Sequence, residues 1–98
     1  KGILEYIILS VIKKWDSYSS DIINKLKESK MIVVEGTLYP LLSRLKTDGI
    51  ITYTWIESKN GPPRKYYRLT ADWLETLKIM DGIWKEIAYA VTNITKNN

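Results

Sequence analysis

The stretch Ile51-Thr52-Tyr53-Thr54-Trp55-Ile56-Glu57-Ser58-Lys59-Asn60-Gly61-Pro62-Pro63-Arg64-Lys65-Tyr66-Tyr67-Arg68-Leu69-Thr70 decides the fold. Ile51 to Glu57 alternates and is rich in β-branched and aromatic residues, the composition of a half-buried strand. Ser58 to Pro63 gathers turn formers, and Arg64 to Leu69 reads as the returning strand. Together they predict a β-hairpin with a basic, Gly-Pro tip. Tyr66 and Tyr67 then project to opposite faces of the ribbon, so at least one of them is expected to be structural.

Outward from the hairpin the apolar period becomes helical. Upstream, Ile3, Leu4, Ile7, Ile8, Val11, Ile12 and Trp15 form a wide stripe that Tyr6 and Leu9 extend, with Glu5, Ser10, Lys13 and Lys14 left polar. A helix this apolar needs covering on more than one side, and in so short a chain a second subunit is the expected cover. Asp16 to Ser20 offers hydroxyls for the start of a second helix, with Ile22, Ile23 and Leu26 inward and Asn24, Lys25, Lys27 and Glu28 outward. Met31 to Val34 is a short apolar connector. A third helix begins near Glu35 or Gly36 and buries Leu38, Leu42 and Leu45; Gly49 is placed to end it in a left-handed cap. Pro40 is tolerable near the start of that helix, where one carbonyl loses its partner.

Downstream, Thr70 can cap a last helix that carries Asp72 and Glu75 in its early turns, favourable to the helix dipole. Along it Trp73, Leu77, Met80, Trp84, Ile87, Val91 and Ile94 alternate spacings of four and three, a heptad seam. The seam would run about 36 Å at 1.5 Å per residue. That outruns a core built from three short helices, so pairing with a second copy is expected, against packing on its own domain. Gly82 inside this helix costs about 1 kcal/mol relative to Ala and is expected either to admit a close neighbour or to have no role. Lys96-Asn97-Asn98 reads as a frayed end.

Helix, helix, helix, hairpin, long helix is the order of a winged helix-turn-helix followed by a dimerisation helix: mainly α with a small β-hairpin. The expected division is 1–69 for the winged helix-turn-helix and 70–98 for the dimerisation helix, in one compact unit. In such an arrangement the third helix can enter a major groove, the second braces it, and the hairpin tip reaches the neighbouring backbone or minor groove.

Composition narrows the function. The 98 residues contain neither Cys nor His, which removes disulfides, thiolate nucleophiles, imidazole bases and the usual zinc ligands. The remaining carboxylates Glu35, Asp48, Asp72 and Asp81 are scattered, without acid/base pairing or a phosphate loop, so an enzyme is the weakest reading, and no cofactor or metal is expected. A hydrophobic fraction of 45% with 27% charged residues fits one soluble domain. The net charge is +4, and six basic against three acidic residues between 35 and 69 give that segment +3. Positive charge therefore gathers on the third helix and hairpin, while the last helix, with three basic and four acidic residues between 70 and 98, is slightly acidic. All aromatic rings carry a polar handle: seven Tyr, four Trp and no Phe. Ile3 to Ile12 could imitate a signal-peptide core, but Glu5 interrupts it and no small-residue cleavage site follows. The chain opens on Lys1 rather than Met, so residues upstream are expected to be missing. A cytoplasmic home without membrane contact is the default expectation.

Gly36-Thr37-Leu38-Tyr39-Pro40-Leu41-Leu42-Ser43-Arg44-Leu45, then Asp48-Gly49-Ile50-Ile51, resembles a signature of the PadR family of bacterial transcriptional regulators. Gly61-Pro62-Pro63-Arg64-Lys65-Tyr66-Tyr67-Arg68-Leu69-Thr70 is similar to the family's second signature, at the matching distance downstream. A single C-terminal helix is similar to the short subclass, which includes multidrug-sensing repressors. The resemblance implies a homodimer binding a pseudo-palindromic double-stranded operator. Thr37, Tyr39, Pro40, Ser43 and Arg44 match recognition-helix positions, Lys59, Asn60, Gly61, Arg64 and Lys65 the wing tip, and Tyr18, Ser19 and Ser20 the start of the second helix, which typically meets phosphate. Ser19 and Ser20 depart from the Gly and bulky residue that many members have there. Tyr39 is open between internal packing and DNA, and Arg44 is expected on DNA rather than as a solvated outer residue.

The same resemblance implies an effector site. Trp84 stands where multidrug-sensing members place a Trp from each subunit against a flat hydrophobic ligand. Leu77, Met80, Ile87 and Ala88 lie on nearby faces, and Tyr6 and Ser10 match residues lining that cavity. A Trp packed in a dimer seam without any ligand explains Trp84 equally well. Trp73 replaces a Gly common in the family and would narrow one end of a pocket. The leading expectation is thus a dimeric DNA-binding repressor released by a small aromatic or lipophilic effector. The competing one is a winged-helix protein-interaction module, an antirepressor or adaptor that reads no DNA.

Overall fold

Three helices precede the hairpin and one long helix follows it. In a computed structural model that describes residues 2–15 and 17–96, these are α1 (Gly2–Lys14), α2 (Ser19–Glu28), α3 (Glu35–Thr47), β1 (Ile51–Ser58), β2 (Gly61–Leu69) and α4 (Ala71–Thr95). The expectations placed on Lys1, Asp16, Asn97 and Asn98 lie outside the described residues. The apolar stripe of α1 sends Ile8, Leu9, Val11 and Ile12 into the core, where they meet Ile22 and Leu26 of α2, Leu38, Leu42 and Leu45 of α3, and Leu77 of α4. Ile51 and Tyr67 close this core from the hairpin, so Tyr67 is structural, and Tyr66 packs edge-on against Tyr18 with centroids 5.4 Å apart.

The helix ends show how the turns are made. The serine-rich start of α2 works differently from the hydroxyl capping expected of it. Tyr18 is the N-cap in extended conformation, and its backbone N–H donates to Asp21 Oδ2 at 3.2 Å. Ser17 is fully buried and donates its hydroxyl to the Trp15 carbonyl at 2.7 Å, while Ser19 is already helical. An acidic residue in the first turn thus does the capping, where it also meets the helix dipole.

The ends of α2 and α3 are built alike. After α2, Lys30 N–H donates to Lys27 O and Met31 N–H to Leu26 O, at 3.0 and 2.8 Å. After α3, Gly49 N–H donates to Lys46 O and Ile50 N–H to Leu45 O, at 3.1 and 3.0 Å. Both are Schellman motifs, which require a left-handed residue just past the cap. Gly49 supplies it at φ 75° as expected, but at the other site Lys30 adopts φ 68°.

The hairpin is longer and its turn tighter than the sequence suggested. β1 and β2 pair antiparallel with Tyr53 opposite Tyr67, Trp55 opposite Lys65 and Ser58 opposite Gly61, so Lys59 and Asn60 alone form the turn. Gly61, Pro62 and Pro63 belong to β2 rather than to a loop. The register shifts between the Ile56–Arg64 and Ser58–Gly61 pairs, which sets Pro62 and Pro63 opposite Glu57. At such a bulge, or on the ribbon's open edge, a missing N–H costs no ladder hydrogen bond. Near its base, β2 is pinned to the α1–α2 connection: Tyr67 N–H donates to Ser17 O at 2.9 Å.

Thr70 sits at the N-cap of α4 but does not cap it with its hydroxyl. That hydroxyl donates backward to Gly49 O and Ile50 O, at 3.0 and 3.2 Å, tying the start of α4 to the end of α3. The 25 residues of α4 run about 37 Å, and the molecule is 54 Å along its longest axis. The heptad seam divides at Trp84. Leu77 is buried and Trp73, Met80 and Trp84 are half-buried, whereas Ile87, Val91 and Ile94 are exposed by 44%, 53% and 74%. The domain core covers only the first half of the seam. A Cβ on Gly82 would meet nothing, so this glycine admits no close neighbour among the described residues.

Candidate nucleic-acid interface

The candidate reading surface is the outside of α3. With Leu38, Leu42 and Leu45 facing the core, the 100° step per residue sends Gly36, Pro40, Ser43 and Thr47 to the opposite face, and all four are exposed. Pro40 has no N–H to give the Gly36 carbonyl, and both residues lie on this exposed face, where an unpaired acceptor can be hydrated. Tyr39 flanks this face on the side of Ser43, Thr37 and Arg44 on the other.

On the first flank, α2, α3 and the hairpin meet around a shallow cleft of about 340 Å³ lined by Tyr18, Ser19, Tyr39, Ser43, Trp55, Arg64, Lys65 and Tyr67. Six of the residues expected from sequence are therefore brought together here. Tyr39 is 44% exposed, and its hydroxyl lies 3.1 Å from Ser19 Oγ, so the ring bridges α3 to α2 rather than packing inside. Arg64 lies 4.0 Å above the Tyr18 ring and donates from Nη2 to Ser20 Oγ at 2.7 Å. Its guanidinium thus fastens the wing to the start of α2, with donors to spare for an anion. Lys65 lies 4.5 Å from the Tyr53 ring and 5.4 Å from Trp55. Burial, then the nearby Tyr39 and Tyr53 hydroxyls, push the Tyr67 phenol above its usual value and keep it neutral.

Trp55 and Glu5 are the members that sequence reasoning missed. Trp55 is exposed by 57%, on the ribbon face it shares with Lys65. Cross-strand register is the signal that finds it, and register depends on the length of the turn. Lys59, Asn60 and Gly61 stand apart from the cleft, exposed at the wing tip.

On the second flank, Thr37, Pro40 and Arg44 border a shallow depression with Leu4, Glu5 and Leu41. The Arg44 guanidinium is ion-paired to the Glu5 carboxylate of α1, and both side chains are partly exposed. Arg44 is therefore neither a free solvated residue nor an unengaged reader.

Of the residues expected at an effector site, Tyr6, Ser10, Leu77 and Trp84 lie where α1 meets α4. The Tyr6 ring stacks on Trp84 with centroids 5.7 Å apart and planes 25° from parallel. The Tyr6 hydroxyl donates to Asp81 Oδ1, and Lys13 approaches the other oxygen of that carboxylate at 3.9 Å. The hydrogen bond to Asp81, then burial and the Asp81 charge, raise the Tyr6 phenol above 10.0. Ser10 donates to the Tyr6 carbonyl at 2.9 Å and borders a hollow of about 250 Å³ with Lys13, Lys14, Leu77 and Asp81. Met80 is half-buried against the core, while Ile87 and Ala88 lie farther along α4, exposed and outside that hollow. Among the described residues no carboxylate cluster suits a metal ion, and no helix is long and apolar enough to cross a membrane.

Comparison with known proteins agrees with this geometry. Residues 8–78 match the model of the transcriptional regulator PadR-like family. A PadR-like transcription factor from Bacteroides fragilis is 52% identical, with a TM-score of 0.82 over 96% of this chain and 91% of its own. A PadR-like transcriptional regulator from Bacillus cereus is 35% identical, with a TM-score of 0.83 over 95% and 91%. A PadR family transcription regulator from Clostridium difficile is 30% identical, with a TM-score of 0.80 over 94% and 96%. The family consists of transcriptional regulators rather than enzymes, and the matched span runs from α1 through the hairpin into α4. A three-helix core with a basic wing and the two signature segments has its counterpart there: the chain belongs to the PadR-like family of transcriptional regulators.

Proposed function

We propose that the protein is a homodimeric repressor that binds a pseudo-palindromic operator through α3 and the wing. The observation that carries this reading is the single cleft in which α2, α3 and the hairpin place Ser19, Tyr39, Ser43, Arg64 and Lys65 side by side. Residues from three elements converge there with cations and hydroxyls, the donor chemistry that meets phosphate, while the outer face of α3 is offered to base edges. Lys59, Asn60 and Gly61 extend the contact along the backbone, and Tyr18 and Ser20 border it.

Dimerisation runs along α4, with residues 1–69 reading DNA and 70–98 pairing the two copies. Trp73, Leu77, Met80 and Trp84 continue into the exposed Ile87, Val91 and Ile94, which a second copy would cover. Two α3 helices then reach successive major grooves about 34 Å apart. A flat lipophilic effector would rest on the face of Trp84 that Tyr6 leaves open, near Ser10, Leu77, Met80, Ile87 and Ala88, and shift the dimer toward a spacing that fits DNA poorly.

Selection of genomic fragments by the purified protein tests this reading. Retention of fragments sharing an inverted repeat, with transcription rising in cells that lack the protein, is the expected result. Fragments retained without a common sequence, or none at any salt, would refute it. Calorimetric titration with planar lipophilic cations tests the effector: heat of binding that vanishes in Trp84→Ala is expected, and no heat with the wild type removes this part.

A further inference from the structure

The ion pair between Arg44 and Glu5 joins a residue flanking the outer face of α3 to a carboxylate on a different helix. We propose that Glu5 is a positioning residue for DNA reading, holding Arg44 in the orientation in which it meets a base edge. The inference rests on the DNA-binding reading above.

A carboxylate engages one edge of a guanidinium, at most two of its five donors, and leaves the others for a second acceptor. Arg44 stands one turn beyond Pro40 on the flank with Thr37, so the donors left over belong to the exposed side of α3. Guanine O6 and N7 are the acceptors in a major groove that suit such a fork. A free Arg would have to freeze a long side chain on binding; one already held loses less.

Glu5 is itself well anchored. Its side chain is 26% exposed, against 49% for Arg44, so the carboxylate is the more enclosed partner. The next residue, Tyr6, is stacked on Trp84 and hydrogen-bonded to Asp81, which ties this turn of α1 to α4. The reading residue is thus registered against the helix pair at the base of the domain and not only against its own backbone.

The opposite role for the same contact is that Glu5 withholds Arg44 and DNA must displace it. The two roles predict opposite signs. Operator and non-operator affinities, with base preference from a randomised half-site, are measured for the wild type, Glu5→Gln, Arg44→Ala and the double variant. The position that Arg44→Ala relaxes marks the base that Arg44 reads. Glu5→Gln is expected to relax that same position, to weaken operator binding about two- to five-fold, the span of a partly exposed ion pair, and to leave non-operator affinity unchanged or raised. The double variant should bind no worse than Arg44→Ala.

Glu5→Asp keeps the charge but withdraws it by one methylene and should relax the same position if placement matters. Tighter operator binding by Glu5→Gln at unchanged base preference would overturn the proposal in favour of withholding. Additive losses in the double variant would overturn it too, because Glu5 would then act independently of Arg44. A wild type that selects no operator refutes the underlying DNA reading, and an Arg44→Ala that relaxes no position refutes Arg44 as a reader; the proposal falls with either. Thermal unfolding of Glu5→Gln within a few degrees of the wild type separates these outcomes from loss of fold.

Discussion

Replacing Lys30 by Gly should make the protein more stable. Lys30 is the residue just past the C-cap of α2, in the turn that aims α3, and it sits at φ 68°. The left-handed region brings the Cβ of an L-residue against its own backbone, at a cost of about 1–2 kcal/mol that glycine escapes. Glycine also gives the unfolded chain more freedom, which returns about 0.4–1 kcal/mol of that gain. The net expectation is about 0.5–1 kcal/mol of stabilisation, since Lys30 is exposed and both backbone hydrogen bonds of the motif survive. For a chain of 98 residues this corresponds to a rise in Tm of about 2–8 °C. Urea unfolding at fixed protein concentration measures it, with the midpoint moving and the slope m unchanged. Lys30→Ala is the control, because alanine keeps the penalty and removes the charge. If Lys30→Gly is no more stable than Lys30→Ala, the account of this turn is wrong.

Glu at positions 87 and 91 should break the proposed pairing along α4 while sparing the core, since Ile87 and Val91 are already exposed in one chain; sedimentation should show a shift to monomer, and an unchanged mass would count against that interface. Arg64→Ala should weaken DNA binding uniformly across sequences and lower the slope of log K against log salt by about 0.9 if one phosphate contact goes; an unchanged slope would place Arg64 off the backbone. The raised phenol of Tyr6 makes the folded state the tighter proton holder. Its contribution is therefore complete below about pH 10 and is lost as pH rises through the higher folded value. Tyr6→Phe should lose stability less steeply than the wild type above pH 10; equal steepness would exclude Tyr6 as the source.

Local chemistry made much of this fold legible. Leu38, Leu42 and Leu45 declare a buried helix face, Gly49 its end, and the alternation after Ile51 a strand, because each depends on neighbours a few residues away. Contacts between distant elements were less accessible. Nothing about the seventeenth residue of the chain announces that its carbonyl will pair with Tyr67, and the pairing of Glu5 with Arg44 needs α1 and α3 to be packed first. Lys30 was hidden for a different reason. Lysine avoids positive φ, and only the burial of Leu26 with Met31 packed beside it makes the turn worth its strain. In the interface, the clustering of Tyr18, Ser19, Tyr39, Ser43, Arg64 and Lys65 could be anticipated from the motifs, whereas Trp55 required the strand register.

The four indoles are spread over four different surfaces. Trp15 lies between Lys14 and Lys25, at 4.9 and 4.7 Å, just past the end of α1. Trp55 stands on the wing, Trp73 is half-buried at the root of α4, and Trp84 is stacked on Tyr6. A chain without phenylalanine has thereby acquired an optical map of itself. Changing three of the tryptophans to Phe leaves a single indole whose emission colour reports one place alone: the end of α1, the wing, the root of the long helix or the seam. Four such proteins would resolve in time which surface responds first when the molecule meets DNA, and which only follows.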